Sequence, residues 1–175
     1  VVNAYTLAFA CLLLTGGTLG ERCGARKVYL AGLAVFTLAS ALCGIAPDWS
    51  ILTVARVLQG VGAAMLMPSA LTLLNQAYRD PGERAHAIGV WVGCGGAALA
   101  AGPLAGGVLI GLLGWRSIFL VNLPIGVLGI WLALGAARSE SAGQARSFDL
   151  AGQAMAICAL GASIATLIEG PSLGW

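Results

Sequence analysis

Charged side chains are scarce in this sequence: nine Lys and Arg and seven Asp and Glu make up 9% of its 175 residues. Soluble globular domains carry about 25% charged residues, so this chain has too few charges to cover a surface in water. Its mean hydropathy of +0.91 points the same way. The composition excludes an ordinary cytosolic domain, a disordered tail and a nucleic-acid partner. It predicts an integral membrane protein.

Patterns for metal binding, disulfides and catalysis are also missing. His86 is the only histidine, and the odd set of five cysteines contains no Cys-x-x-Cys pair. We interpret these cysteines as small buried apolar residues and expect neither a metal nor another cofactor. No nucleophile–base pair or phosphate-binding loop is visible, so we do not expect an enzyme. The cysteines are Cys11, Cys23, Cys43, Cys94 and Cys158.

Long apolar runs, in contrast, are abundant. Roughly 20 apolar residues cross a bilayer as a helix, and the alternation typical of a membrane β-barrel is absent. The sequence therefore predicts an all-α membrane protein with about six transmembrane helices. The predicted spans are 3–20, 28–46, 50–76, 87–113, 118–137 and 150–168.

The basic residues between these spans indicate the orientation of the chain. Alternate breaks hold seven Lys and Arg, whereas the breaks on the other side hold only Arg116. Cytoplasmic loops are enriched in Lys and Arg, so the first, third and fifth breaks are predicted to be cytoplasmic. The chain then begins outside, and we expect a further helix upstream of Val1. Trp49 and Trp115 fall at external boundaries, where aromatic rings are common.

Arg56 is the one basic residue inside a predicted span. A charge at this depth costs a few kcal/mol, so the side chain should face the bundle interior or a polar cavity. It could lock helices through an ion pair, or it could couple protons or substrate to transport. No carboxylate lies at a matching depth in the sequence. Gln59 and Gly60 follow one turn later and place a hydrogen-bonding group and a gap beside it.

The segment 89–114 holds nine glycines. Gly102/Gly106 and Gly107/Gly111 are spaced so that two helix backbones could approach closely, and Pro103 should kink the helix. One interpretation is packing alone. The other is a pliable, tightly packed hinge that closes one side of a transport path.

A tight cytoplasmic turn is predicted between Gly17 and Lys27. Gly24 should end a helix or adopt a positive φ. Glu21 lies near Arg22, Arg26 and Lys27 and could form a salt-bridged clasp with them. The alternative is that these cations serve only to fix the orientation of the chain.

Three motifs in order resemble the Major Facilitator Superfamily, specifically its fourteen-span drug:proton antiporters of the EmrB/QacA type. The run from Gly17 to Lys27 resembles the cytoplasmic loop motif G-x-L-x-D-R-x-G-R-R/K, with Glu21 for the usual Asp and Ala25 for a usual Arg. Leu52-x3-Arg56-x2-Gln59-Gly60 resembles the fourth-helix motif. Ala98-x3-Gly102-Pro103-x2-Gly106-Gly107 resembles the fifth-helix antiporter motif, with Ala for its first Gly.

This resemblance implies roles for the matching residues. Arg56, with Gln59, would take part in proton coupling, and Gly60 would allow close helix packing. Gly102, Pro103, Gly106 and Gly107 would pack against the other half of the transporter. The cytoplasmic loop would hold the outward-open state through the residues that match its motif. Those residues are Gly17, Glu21, Arg22, Gly24, Arg26 and Lys27.

The resemblance also implies an architecture and an activity. Residues 1–137 would be family helices two to six of the N-terminal bundle, 138–149 a short cytoplasmic loop, and 150–175 a linker helix, the seventh. The first helix and the C-terminal half would lie outside this chain. The implied function is proton-coupled efflux of hydrophobic, often cationic compounds across the cytoplasmic membrane. The partners would then be these compounds, protons, the lipid bilayer and the missing half of the protein.

Other functions remain open from the residues. Most uptake members of the superfamily lack the glycine–proline motif, which argues against an importer or uniporter. An exporter of a single endogenous metabolite would share every feature above. A non-transporting membrane scaffold would have no use for a costly Arg56.

Overall fold

The computed structural model describes residues 2–135 and 150–169, and within these ranges every regular element is a helix. The helices are α1 (Val2–Cys23), α2 (Ala25–Ile45), α3 (Trp49–Ala77), α4 (Pro81–Leu113), α5 (Ser117–Leu120), α6 (Asn122–Gly135) and α7 (Leu150–Glu169). The predicted loop 138–149 and the end of the predicted last segment, 170–175, lie outside the described residues.

The described residues contain five stretches long and apolar enough to cross a membrane. They match the first five predicted spans, and the sixth predicted span coincides with α7. Large apolar side chains cover the outside of the helices; Leu99, for example, is 80% exposed. Such a surface suits hydrocarbon, since lipid tails are as apolar as leucine. The predicted all-helical membrane architecture is confirmed.

One predicted boundary was wrong. The break at 79–84 is shorter than predicted, because α4 already begins at Pro81. Asp80 caps this helix by accepting a bond from the backbone N–H of Glu83 at 2.9 Å, and proline is well suited to a first helical position. The predicted span 118–137 is confirmed over its described part as one membrane-crossing stretch, Ser117–Gly135, although the helix is interrupted at Val121, between α5 and α6. Pro124 lacks the N–H that would bond back to Leu120, which accounts for the interruption there.

Gly24 separates α1 from α2 with φ of +91°, a conformation that residues with a side chain rarely adopt. The predicted positive φ is confirmed. The backbone N–H of Val28 then bonds to the carbonyl of Gly24 and starts α2. The two helices are therefore joined by a single residue. The other residues of the predicted turn between Gly17 and Lys27 belong to the end of α1 or the start of α2.

The core forms where α3 packs against α1 and α2, while α6 lies against α2 and α7 against α1. Small residues allow the helices to approach closely. At the α2–α3 crossing, a Cβ added to Gly32 would lie 2.9 Å from the carbonyl oxygen of Gly62. Conversely, one added to Gly62 would lie 2.8 Å from the carbonyl oxygen of Gly32. Neither glycine can gain a side chain without moving the other helix.

Candidate coupling site around Arg56

Arg56 and Gln59 lie three residues apart on α3, so both side chains project from the same face of the helix. The Arg56 Nη1 donates to Gln59 Oε1 at 2.9 Å. Gln59 is only 1% exposed, whereas Arg56 is half-buried. The sequence predicted that these two residues lie side by side, and in the structure they share a direct hydrogen bond.

Gln59 is held in place from α2. Its Nε2 donates to Ser40 Oγ at 2.6 Å, and the Ser40 hydroxyl donates to the carbonyl of Phe36 at 2.7 Å. The Cys43 thiol is also 3.5 Å from Gln59 Oε1. A buried amide left without partners would cost about 1–3 kcal/mol, and this one is bonded through both its oxygen and its nitrogen. The amide oxygen is therefore fixed toward Arg56.

Two aromatic rings flank the Arg56 guanidinium. Its Cζ lies 4.4 Å from the ring centroid of Tyr5 on α1 and 5.7 Å from that of Phe119 on α5. Both distances are within the range of cation–π attraction. The partners of Arg56 among the described residues are thus an amide oxygen and two ring faces, and none is a carboxylate. The arrangement holds a positive charge in the bundle and leaves other guanidinium donors available to a further group.

Sequence reasoning did not find Ser40, Cys43, Tyr5 or Phe119. Ser40 and Cys43 lie three residues apart on α2, but nothing in the sequence marks that face as the one opposite Gln59. Cys43 is fully buried, as predicted for an apolar thiol, yet it also contacts the polar cluster. The predicted burial was wrong for Cys23, Cys94 and Cys158, which are exposed among the described residues. The only available signal was the high cost of a buried arginine, which requires partners without specifying them.

The cytoplasmic loop residues are positioned around the start of α2. Glu21, Arg22 and Lys27 are exposed, and a Cβ at Gly17 would lie 3.6 Å from Pro68 of α3. Arg26 does not contact Glu21 in the predicted clasp but reaches α6. Its Nη2 donates to the carbonyls of Ala133 at 3.1 Å and Leu134 at 2.9 Å, at the end of α6. Arg26 therefore closes the C-terminal end of α6, where a cation is favourable.

Replacing Arg26 by Ala is expected to lower the free energy of unfolding by about 1.5–3 kcal/mol, the usual value of hydrogen bonds to a charged group. Lysine should recover part of this, because it keeps the charge but cannot reach two carbonyls with a planar fork. Thermal unfolding of the purified protein in detergent measures the change. Lys27→Ala, the exposed neighbour, is the control. Equal midpoints for the two alanine variants would contradict the role of Arg26.

The glycine–proline motif lies on α4, where the described residues leave it uncovered. Helix α4 contacts only α3 and α5 within that part of the chain. A Cβ added at Gly102, Gly106 or Gly107 would meet nothing within 4 Å in the described residues. Pro103 lies inside α4, which continues through it. Close helix packing is found among α1, α2 and α3, and the motif presents an open face within the described residues, so its packing stays a prediction.

At the end of the bundle that is predicted to be external, Trp115 and Arg116 precede α5. The Arg116 Cζ lies 4.8 Å from the Trp115 ring, and its Nη2 donates to the carbonyl of Ala46 at 3.0 Å. Trp115 in turn contacts Phe119 edge to face, with centroids 6.3 Å apart. These contacts fix α5 against the end of α2.

A cleft of about 770 Å³ opens between the end of α3 and the start of α4. It is mainly apolar, with the rings of Tyr78 and Trp91 and the ionisable side chains of Glu83 and His86 in its lining. An apolar wall with aromatic faces and one carboxylate suits a hydrophobic cation. The positive-inside pattern predicts that this end of the helices is cytoplasmic. Within the described residues, no group of three or more His, Cys, Asp or Glu could hold a metal ion.

Ionisable residues inside membrane spans commonly mark substrate or ion pathways, so Arg56 within this helical bundle indicates a multi-pass transport protein. Comparison with protein families agrees: residues 1–151 match the family model described as Major Facilitator Superfamily. The chain belongs to this superfamily.

Several curated relatives match the whole chain. It is 42% identical over 175 residues to the "Multidrug resistance protein Stp" of Mycobacterium tuberculosis, covering 100% of this chain and 33% of that protein. It is 43% identical to the "Methylenomycin A resistance protein" of Bacillus subtilis, covering 100% and 37%. It is 39% identical to the "Tetracenomycin C resistance and export protein" of Streptomyces glaucescens, covering 100% and 32%. The chain thus spans about a third of the length of these relatives.

Proposed function

We propose that this chain is part of a proton-coupled exporter of hydrophobic small molecules in the cytoplasmic membrane. The observation that carries the proposal is the Arg56 cluster. A half-buried guanidinium is held by Gln59, which is bonded through both its oxygen and its nitrogen, and by two rings. Its remaining donors would bind a carboxylate from the rest of the protein, which would take up and release the proton. The names of the relatives, which refer to drug resistance and export, support efflux as the direction.

The proton gradient would supply the energy, because one charge crossing 100 mV releases about 2.3 kcal/mol. Two bundles would rock around a cavity near the membrane midplane, with this chain forming most of the first. The cytoplasmic cleft beside Tyr78 and Trp91 lies on the side from which an exporter takes its substrate. Its aromatic lining and Glu83 favour hydrophobic compounds that carry a positive charge.

We also propose that α7 is a linker helix of a fourteen-span protein. Helix α7 packs against α1, a member of the first bundle, and the Cys11 thiol lies 3.8 Å from the carbonyl of Ile157. A helix that opened the second bundle would be expected to face that bundle. The contact with α1 therefore supports a linker role.

The proposed function is tested with the full-length protein in inverted membrane vesicles. The vesicles are energised, the proton gradient is followed by the quenching of a dye, and a panel of lipophilic cations is added. Dissipation of the gradient that requires both compound and protein is the expected result. An absence of dissipation across the panel, with folded protein present, would overturn export of lipophilic cations.

A second candidate is an exporter of one particular compound, and a specific observation favours it. Two of the relatives are named for a single antibiotic each, methylenomycin A and tetracenomycin C. In the same vesicles this candidate predicts no response to the cation panel and a response to one particular antibiotic. Including both compounds named above in the panel separates the two candidates.

Replacing Gly102 by Leu should reduce transport several-fold without unfolding the bundle described here. The open face of α4 has room for a side chain, but the second half of the transporter is proposed to pack against it, and a bulky side chain would prevent close approach. Efflux at matched expression measures the effect. Gly89→Leu, on the same helix outside the motif, is the control. Normal efflux by Gly102→Leu would exclude close packing at this glycine.

A further inference from the structure

Phe119 contacts Arg56 from a separate structural element. Its ring belongs to α5, a four-residue helix at the external end of the bundle, and it is only 9% exposed. Tyr5, on the other side of the guanidinium, belongs to α1. The environment of Arg56 therefore depends on three helices, and α5 is the shortest of them.

A continuous set of contacts connects Phe119 to the external surface. Phe119 contacts Trp115 edge to face, with an interplanar angle of 86°. The Arg116 guanidinium in turn lies over the Trp115 ring. Arg116 also bonds to the carbonyl of Ala46, at the end of α2. We call Trp115 and Arg116, with the Ala46 carbonyl, the external rim.

Phe119 also belongs to a buried apolar cluster at this end of the bundle, together with Cys43, Ala46, Leu52 and Ala55. The side chain of Leu120, the next residue, lies against Gly44, where an added Cβ would be 2.5 Å from a Leu120 methyl group. Helix α5 is thus pressed onto α2. It cannot move away without breaking both the rim and the cluster.

We propose that Phe119 is a positioning residue that links the external rim to Arg56. Movement of α5 away from α2 removes one ring from the guanidinium, so the state of the external end changes the surroundings of the coupling arginine. This inference rests on the proposed function and adds to it a residue and a direction: Arg56 responds to events on the external side.

The test uses Phe119→Leu and Phe119→Tyr in the full-length protein. Leucine fills the site but has no ring face, whereas tyrosine keeps the ring. Phe36→Leu is the matched control, because Phe36 is partly buried on α2 in the same bundle. Two rates are compared in vesicles: drug-dependent proton movement, and exchange of labelled for unlabelled drug without a proton gradient.

We expect Phe119→Leu to lower drug-dependent proton movement about five- to thirty-fold, the range for a desolvated cation–π contact. Drug exchange should remain, and Phe119→Tyr and Phe36→Leu should keep both rates. Equal proton movement in Phe119→Leu and Phe36→Leu would overturn the proposal. Loss of proton movement and exchange together would also overturn it, since it would show a purely structural role. If Phe119→Leu fails to accumulate, Phe119→Met replaces it.

A second readout does not depend on transport. Cys43 is fully buried beneath Phe119 and beside Gln59. With the other cysteines of the protein replaced, a membrane-impermeant maleimide added outside reports access to this thiol. Phe119→Leu and Trp115→Leu should each speed labelling, and Phe119→Tyr should not. If the unsubstituted protein moves no protons, the proposed function fails. The labelling still tests whether Phe119 links the external rim to the site around Arg56. Unchanged labelling in both leucine variants would overturn that link.

Discussion

Full-length protein carrying Arg56→Ala is expected to lose drug-dependent proton movement completely while remaining folded in the membrane. The substitution removes the only charge that the described bundle holds between Tyr5 and Phe119, and it leaves the oxygen of Gln59 with a thiol as its remaining donor. Without the guanidinium, a nearby carboxylate would keep its proton and could not exchange it for substrate. Drug exchange without a proton gradient should continue.

Arg56→Lys is expected to lower the same rate about ten- to hundredfold, because a hydrogen bond to a charged group contributes about 1.5–3 kcal/mol. Lysine keeps the charge but offers a compact ammonium in place of a planar group that stacks between two rings. The proton-sensitive dye in inverted vesicles measures both variants. Arg79→Ala, which removes an exposed arginine at the cytoplasmic end, is the control. Wild-type proton movement in both Arg56 variants would exclude the coupling role.

The sequence was sufficient to predict the helices and their order, because length, hydropathy and loop charge directly reflect the bilayer. It also predicted that Arg56 and Gln59 would lie together, since residues three apart on a helix share a face. These features depend on one helix at a time. The positive φ of Gly24 belongs to the same class, because only the local backbone decides it.

Contacts between helices could not be predicted in the same way. In a soluble protein the buried face is apolar and the exposed face polar, but a membrane helix is apolar on both. The glycines of α4 and those of α1 to α3 therefore look alike in sequence. Only the structure shows that Gly32 and Gly62 contact each other while Gly102 faces open space in the described residues. Phe119 was missed for this reason also, since its partner lies on another helix.

The crossing of α1 and α3 gives the second large expected effect. A Cβ added to Gly60 would lie 2.7 Å from the carbonyl oxygen of Tyr5 and 2.8 Å from Cβ of Ala8. Further along the same crossing, a Cβ at Gly16 would overlap the carbonyl oxygen of Ala64. Both obstacles include backbone atoms, which cannot rotate away as a side chain does.

Gly60→Ala and Gly16→Ala are therefore each expected to lower the free energy of unfolding by about 3 kcal/mol, at the upper end of the usual cost of overpacking. Gly89→Ala is the matched control, because an added Cβ there meets nothing within 4 Å of the described residues. Alanine is favoured over glycine in a helix by about 1 kcal/mol, so this variant should be unchanged or slightly stabilised. The thermal midpoint in detergent should therefore fall for Gly60→Ala and Gly16→Ala but not for Gly89→Ala, and equal midpoints in the three variants would contradict the close crossing.

The same crossing also sets the position of Tyr5 over Arg56. Gly60 lies one turn beyond Arg56 on α3 and packs against the backbone of Tyr5. The ring of Tyr5 is 4.4 Å from the guanidinium. A side chain at position 60 must push α1 outward and carry that ring with it. Any Gly60→Ala protein that still folds is expected to show weaker proton coupling than Gly16→Ala at equal stability. The reason is that Gly16 lies about three turns from Tyr5 along α1, so a side chain there does not displace the Tyr5 ring. Measuring both rates in both variants separates the packing role of these glycines from the effect of Gly60 on the arginine.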